Sequence, residues 1–337
     1  MSEPVILADV WRGGRIESRH RGHAVICTAG GDTVAAWGDP EAVIYPRSSC
    51  KMIQALPLVE SGAADRAGLT SEHLALACAS HSGAAMHVTR VEDWLKGLGM
   101  SEADLRCGIQ MPGDRTERHR LRADGTAPCQ CHNNCSGKHA GFLTLSKHLQ
   151  AGPEYCELDH PVQLAVRDAF EDMTGERSAG YGIDGCSAPN FTTSLTGLAR
   201  AAARMADTSG LRPVRAAAAE RLVAAMGRHP LLIAGEGRGC SELVAAMDGR
   251  TVIKTGAEGV YLGILPDRGL GIALKVEDGA TRASEAAIAA LLVRLSQIEA
   301  DHPAVQRRMK AELRNRRDLL VGHVTASEEI FAGGAAL

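Results

Sequence analysis

Short apolar runs at both ends of the chain are cut by glycine-rich turns, whereas apolar residues through the middle recur at helical spacing. His23–Thr28 (HAVICT) and Thr33–Trp37 (TVAAW), joined by Ala29-Gly30-Gly31-Asp32, predict a β-hairpin. Arg250–Lys254 (RTVIK), Gly259–Leu265 and Gly271–Val276 (GIALKV) predict further strands, punctuated by Asp248-Gly249 and Pro266-Asp267-Arg268-Gly269. Helices are predicted over about 48–60, 87–98, 137–149, 161–173, 214–226 and 280–299. The alanine-rich stretch 199–226 reads as two helices broken at Ser209-Gly210 and Pro213. These elements point to an α+β fold: an antiparallel sheet built from both chain ends, with a helical block inserted between them. One compound domain over 1–337 is predicted, its sheet portion about 1–47 and 245–337 and its helical portion about 48–244.

Composition narrows the picture without naming a chemistry. At 337 residues the chain can bury a large core, and with only 3% aromatic residues that core must rest on aliphatic side chains and close backbone packing. A net charge of −3 gives no reason to expect nucleic acid or an acidic membrane as partner. The opening MSEPVILADVWRGG lacks a basic segment followed by a long apolar run, and no stretch approaches a membrane span. The expected location is cytoplasmic, where most of the ten cysteines are reduced thiols packed as small apolar groups. Cys129-Gln130-Cys131-His132-Asn133-Asn134-Cys135 stands apart: three thiols and an imidazole suit a soft-metal or redox site. It lacks a second C-x-x-C pair, so any metal there must recruit a distant ligand.

Two strings some two hundred residues apart carry the candidate chemistry: Ser48-Ser49-Cys50-Lys51 and Lys254-Thr255-Gly256. A serine hydroxyl is a weak nucleophile at neutral pH, and a lysine one helical turn on can take its proton. Lys-Thr-Gly on an edge strand offers an amine and a hydroxyl, and its glycine admits a close backbone approach. The pairing of S-x-x-K with Lys-Thr-Gly resembles penicillin-binding proteins and class A β-lactamases. The sheet built from both ends would bring the two strings to one cleft, with burial and a cationic Lys254 lowering the pKa of Lys51.

Further polar strings are too particular for a core. Ser80 and His81 follow an apolar run in Cys78-Ala79-Ser80-His81-Ser82, and Cys135 and Lys138 share a face at a helix start. Asp184 and Cys186 lie in a turn-rich loop. Arg47 and Arg238 suit a substrate carboxylate and Glu236 an α-amino group, although such charges equally suit structural ion pairs. His81, His139 and His229 read either as acid–base groups or as orienting hydrogen-bond partners.

At these residues the sequence resembles the bacterial L-asparaginase II family, the zinc-containing serine-lysine group. The likeness runs from Arg12-Gly13-Gly14-Arg15-Ile16-Glu17-Ser18-Arg19-His20 through Arg47-Ser48-x-x-Lys51, Cys78-Ala79-Ser80-His81-Ser82 and Asn134-Cys135-Ser136-Gly137-Lys138-His139. It continues through Asp184-Gly185-Cys186, Arg228-His229-Pro230, Gly235-Glu236-Gly237-Arg238, Lys254-x-Gly256-Ala257 and Lys275-Val276-Glu277-Asp278-Gly279. The resemblance implies a fold like serine β-lactamases and glutaminases, a homodimer, and an amino-acid amide substrate: hydrolysis of the asparagine side chain to aspartate and ammonia. It implies catalytic pairs Ser48–Lys51 and Ser80–Lys254, and zinc at Cys135, Lys138 and Cys186 with Asp184 near both metal and substrate. It further implies substrate contacts among Arg47, His81, Asp184, Glu236, Arg238 and Gly256. Met52 stands where the family commonly has proline, and Cys129 and Cys131 fall outside its pattern. Glutaminase activity, a β-lactam-interacting serine acyl enzyme, and a non-enzymatic zinc or thiol protein are the rival readings.

Overall fold

Strands from the two chain ends interleave in one sheet in the computed structural model, which describes residues 2–332. The first three strands are β1 (Val5–Arg12), β2 (Arg15–Thr28) and β3 (Thr33–Trp37). β4 (Val43–Ile44), β5 (Tyr181–Ile183), β6 (Pro189–Phe191) and β7 (Thr193–Ser194) make two small pairs, β4 with β7 and β5 with β6. β8 (Val252–Gly256), β9 (Val260–Leu265), β10 (Leu270–Val276), β11 (Lys310–Arg314) and β12 (Leu320–Ala326) return the chain to the main sheet. Its order is β11-β12-β1-β2-β10-β9-β8, with β3 also paired to β2, and every pairing is antiparallel. The chain ends join where β2 meets β10, Gly22 opposite Val276 and Cys27 opposite Gly271. The predicted hairpin forms with Ala24 opposite Trp37.

In the main sheet, the strands that pattern reading did not mark are β1, the first half of β2, β11 and β12. Arg15–Arg19 is exposed and strongly polar, and β11 (KAELR) carries exposed charges at every other position, so neither shows an apolar run. The predicted helix at about 48–60 is broken into a 3-10 turn at Arg47–Cys50 and short helices at Lys51–Gln54 and Leu56–Glu60. Arg47 sits in the left-handed region at φ 53°, and Pro57 lacks the N–H that would continue the ladder. The last long helix stops at Arg294, before Ser296 at φ 54°.

Between the sheet-forming segments the chain is mostly helical, including Ser71–Ala77, Ala85–Gly97, Ser136–His148 and Pro161–Thr174. The helices Leu195–Ala206 and Thr281–Arg294 both pack on β9 and β10, and β9 is buried along its whole length. Small residues allow that approach: a Cβ on Gly271 would lie 2.1 Å from the Ala199 carbonyl oxygen and 2.2 Å from the Ala203 nitrogen. Among the described residues no helix is long and apolar enough to cross a membrane. Gly271→Ala is therefore expected to force the helix off the sheet, at a cost of about 1–3 kcal/mol. Urea unfolding followed by circular dichroism measures it; an unchanged midpoint would show that the contact relaxes freely.

Candidate active site

Three backbone bonds fix the strand-like segment after the helix Ser71–Ala77. Ser80 and Ser82 donate their N–H groups to the Ile233 and Ala234 carbonyls at 2.9 and 2.8 Å, and His81 donates to the Asn134 carbonyl at 3.2 Å. Facing this segment, the turn Arg47–Cys50 carries Ser48 and leads into Lys51. Gly256 of β8 packs directly on that turn, where a Cβ would stand 2.6 Å from the Pro46 carbonyl oxygen. The glycine of Lys-Thr-Gly thus permits the close approach expected of it.

The two predicted lysines converge on one oxygen. Ser80 Oγ lies 3.0 Å from Lys51 Nζ and 2.7 Å from Lys254 Nζ, and both lysines are buried, at 1% and 0% exposure. Lys51 also donates to the Ala79 carbonyl and to Cys135 Sγ at 3.1 Å, while Lys254 donates to the Thr255 carbonyl at 2.8 Å. Burial first, and the Lys51 charge second, push the Lys254 amine from its ordinary 10.5 down to about 7. Ser48 is half-buried and has no hydrogen bond to a protein group among the described residues.

A thiol cluster adjoins the lysines. Lys138 Nζ donates to Cys186 Sγ at 3.2 Å, and the neighbouring Cys135 thiol donates to Asn134 Oδ1 at 2.9 Å. Interaction with Cys135, joined by the Lys138 charge, outweighs burial and lowers the Cys186 pKa well below the usual thiol range. The same interaction, reinforced by burial, pushes the Cys135 thiol up to about 12. Burial opposes the Lys138 ammonium, but Cys186, Cys135 and Asp184 together raise its pKa. Burial likewise opposes the Asp184 carboxylate, yet Lys138, Arg47 and the Gly185 N–H keep its pKa below the ordinary value. Arg47 donates to Asp184 Oδ1 through Nε at 3.1 Å and Nη2 at 2.9 Å, tying the serine turn to the loop of Cys186.

His81 is wholly engaged by protein. Its Nδ1 accepts the Gly83 N–H at 3.1 Å, so Nε2 carries the proton and donates to Ser136 Oγ at 2.9 Å. Burial, then His87 and Lys51, keep the ring neutral, and His87 stacks on it at 4.8 Å between centroids. His139 and His229 are tied elsewhere, to the Tyr155 hydroxyl and to Ser71 Oγ. Glu236 and Arg238 lie exposed on one turn, their side chains without a hydrogen bond or ion pair to protein among the described residues. The Arg238 charge nevertheless acts on Lys254, which places it near the lysine pair. The residues missed from sequence are partners of these groups: Ser136, His87 and Cys240, whose Sγ accepts the Thr255 N–H at 3.2 Å. Ser136 sits inside a quoted motif; His87 and Cys240 carry no local signal.

A family model described as L-asparaginase II matches residues 8–326, nearly the whole chain. The chain belongs to the L-asparaginase II family. It is accordingly an asparaginase-type amidohydrolase with a small-molecule substrate. No curated protein matches it in sequence. Among solved structures, a β-lactamase from Mycobacterium bovis is 14% identical with a TM-score of 0.45, over 82% of this chain and 95% of that one. Mglu is 14% identical with a TM-score of 0.48, over 88% of this chain and 72% of that one. A putative β-lactamase from Bacteroides dorei is 12% identical with a TM-score of 0.44, over 76% and 84%.

Since the Lys51 charge helps depress Lys254, Lys51→Met is expected to raise the Lys254 pKa above 7. NMR titration of isotope-labelled lysine side chains reads this directly. A Lys254 titration that stayed put in the variant would assign the whole shift to burial.

Proposed function

We propose that this chain is an L-asparaginase that hydrolyses the side-chain amide of asparagine to aspartate and ammonia through a serine acyl-enzyme. The observation that carries this reading is the sharing of Ser80 Oγ by two buried lysines, one with its pKa brought to about 7. Above that pH the pair holds one excess proton rather than two. When neutral Lys254 takes the Ser80 hydroxyl proton and Ser80 takes one from Lys51, the free amine moves to Lys51, one turn from Ser48. Ser48, free of protein partners, then attacks the amide carbonyl as Lys51 accepts its proton. The C–N bond breaks as the same Lys51–Ser80–Lys254 chain returns a proton to the leaving nitrogen, and water hydrolyses the ester. Arg238 and Glu236, unpaired on one turn, bind the α-carboxylate and α-amino group, while Arg47 and Asp184 position the serine turn. A second reading rests on the 2.7 Å contact between Lys254 and Ser80: Ser80 itself attacks.

The donor set Cys135, Lys138 and Cys186 fits zinc. Two cysteine sulfurs, one with its pKa lowered, lie beside an amine 3.2 Å from Cys186, and the ammonium holds positive charge where a dication would, its proton released on binding. Bound there, zinc supplies a Lewis-acidic anchor for the polar end of the amino acid. A homodimer in the cytoplasm completes the reading; light scattering coupled to size exclusion tests the dimer.

Ammonia release decides the roles. Ser48→Ala is expected to abolish turnover and the acylated species seen by mass spectrometry; near-normal activity with loss only in Ser80→Ala would transfer the attack to Ser80. Lys254→Ala is expected to lower kcat by about 10²–10⁴-fold. In the unmodified chain kcat/KM is expected to rise as pH increases through about 7, because the free amine is the active form. A flat profile between pH 6 and 8 would remove Lys254 from proton transfer. Chelation is expected to raise KM with kcat nearly unchanged; loss of kcat at constant KM would assign zinc a chemical role.

A further inference from the structure

Cys129 and Cys131, unused by the chemistry above, meet a carboxylate from another element. The Glu92 carboxylate and the two sulfurs lie within 4.8 Å of one another. Glu92 projects from the helix Ala85–Gly97, and its carboxylate has no hydrogen bond or ion pair among the described residues. The turn that presents the two thiols is held in place. Gln130, between them, donates its N–H to Glu102 Oε2 at 3.0 Å and its side-chain amide to the Glu102 carbonyl at 3.0 Å, and accepts the Gly108 N–H at 2.9 Å. With Gln130 pinned, its neighbours present their sulfurs together to Glu92.

We propose that Glu92, Cys129 and Cys131 form a site for a zinc-class divalent cation that fastens the helix Ala85–Gly97 to the loop entering the active site. Two thiolates and a carboxylate are ligands such an ion accepts, with water completing a tetrahedron. Metal–sulfur bonds of about 2.3 Å and metal–oxygen bonds of about 2.0 Å separate tetrahedral donors by roughly 3.5–3.8 Å, so small side-chain rotations suffice. Binding displaces the two thiol protons to solvent. Beside the sulfurs, His132 Nδ1 accepts the Cys129 N–H at 3.1 Å and lies 3.3 Å from Cys129 Sγ, while its Nε2 donates to Glu117 at 3.2 Å. This imidazole and carboxylate are an outer-sphere pair for one ligand. The site also reaches the catalytic segment: the Cys131 carbonyl accepts from Ser136 Oγ at 2.9 Å, and that oxygen accepts from His81, the neighbour of Ser80. An ion on Cys131 thereby fixes the far end of the hydrogen-bond chain that orients His81.

The test counts ions, independently of turnover and of the zinc reading at Cys186. Full-length protein, reduced and stripped of metal, is titrated with Co²⁺ and then Zn²⁺, following the thiolate-to-cobalt absorption band and bound metal by mass spectrometry. Cys135→Ser/Cys186→Ser is expected to keep one ion and its thiolate band, and adding Cys129→Ser/Cys131→Ser is expected to remove both. Glu92→Gln in the first background should weaken binding at least about tenfold, the cost of losing even an outer-sphere partner. Unmodified protein binds two ions if both sites hold, and one ion, sensitive only to Cys129 and Cys131, if the Cys186 reading alone fails. The proposal is overturned if every bound ion disappears with Cys135 and Cys186, or if Cys129→Ser/Cys131→Ser, folded by circular dichroism, leaves stoichiometry and band unaltered.

Discussion

Two lysine amines within hydrogen-bond reach of one serine oxygen, both cut off from water, are the constraint around which the site is organised. Burial and the neighbouring Lys51 charge both disfavour a positive charge on Lys254, whose other partner is the Thr255 carbonyl. Lys51 reaches the Cys135 sulfur and the Ala79 carbonyl as well as the serine. Lys254 thus holds an easily lost proton, with a hydroxyl between the amines to carry it across. A single buried lysine would suffer the same desolvation but would lack a second amine to which the proton could be passed.

That arrangement is bearable only because anions lie close by. Lys138 has the Cys186 thiolate, and Arg47 has Asp184. Each anion is itself stabilised by more than one donor: Cys186 by the Cys135 thiol and Lys138, Asp184 by Lys138, Arg47 and the Gly185 N–H. Cys135 links the two groups, since its sulfur receives Lys51 and acts on the pKa of Cys186, while its thiol donates to Asn134 Oδ1 at 2.9 Å. Protonation at the lysine pair and at the thiol cluster are thus coupled through one atom, and replacing any of these residues disturbs the charge of its neighbours.

The fold was legible where an apolar pattern marked it. The β2–β3 hairpin and the strands at 252–256, 260–265 and 270–276 stand where alternation and turn residues put them. β11 escaped because a strand at a sheet's edge can keep charged residues on its exposed side, as KAELR does. The break at Arg47 escaped because its left-handed backbone, costing about 1–3 kcal/mol, is imposed by tertiary contacts with Asp184 and β8. For the candidate site, spacing and resemblance named the residues that converge, Lys51, Ser80, Lys254, Cys135, Lys138 and Cys186. They did not show that the Lys254 pKa is lowered, since that depends on complete burial in the fold, which no side-chain motif records. Nor did the Cys129–Cys131 string reveal Glu92, which lies on a separate helix.

The position of Lys254 also answers a structural problem. β8 is the last strand of the sheet and its outer edge would expose unpaired backbone groups. On that edge the Thr255 N–H finds the Cys240 sulfur at 3.2 Å, and the turn Arg47–Cys50 packs on β8, where Gly256 leaves room for the Pro46 carbonyl. The contact sets the serine turn on the strand that carries Lys254, so a bulkier residue at position 256 would push that turn off the strand and separate the candidate catalytic groups. A glycine whose role could be read as mere flexibility instead couples stability to chemistry, which explains why the short lysine-threonine-glycine string informs on both.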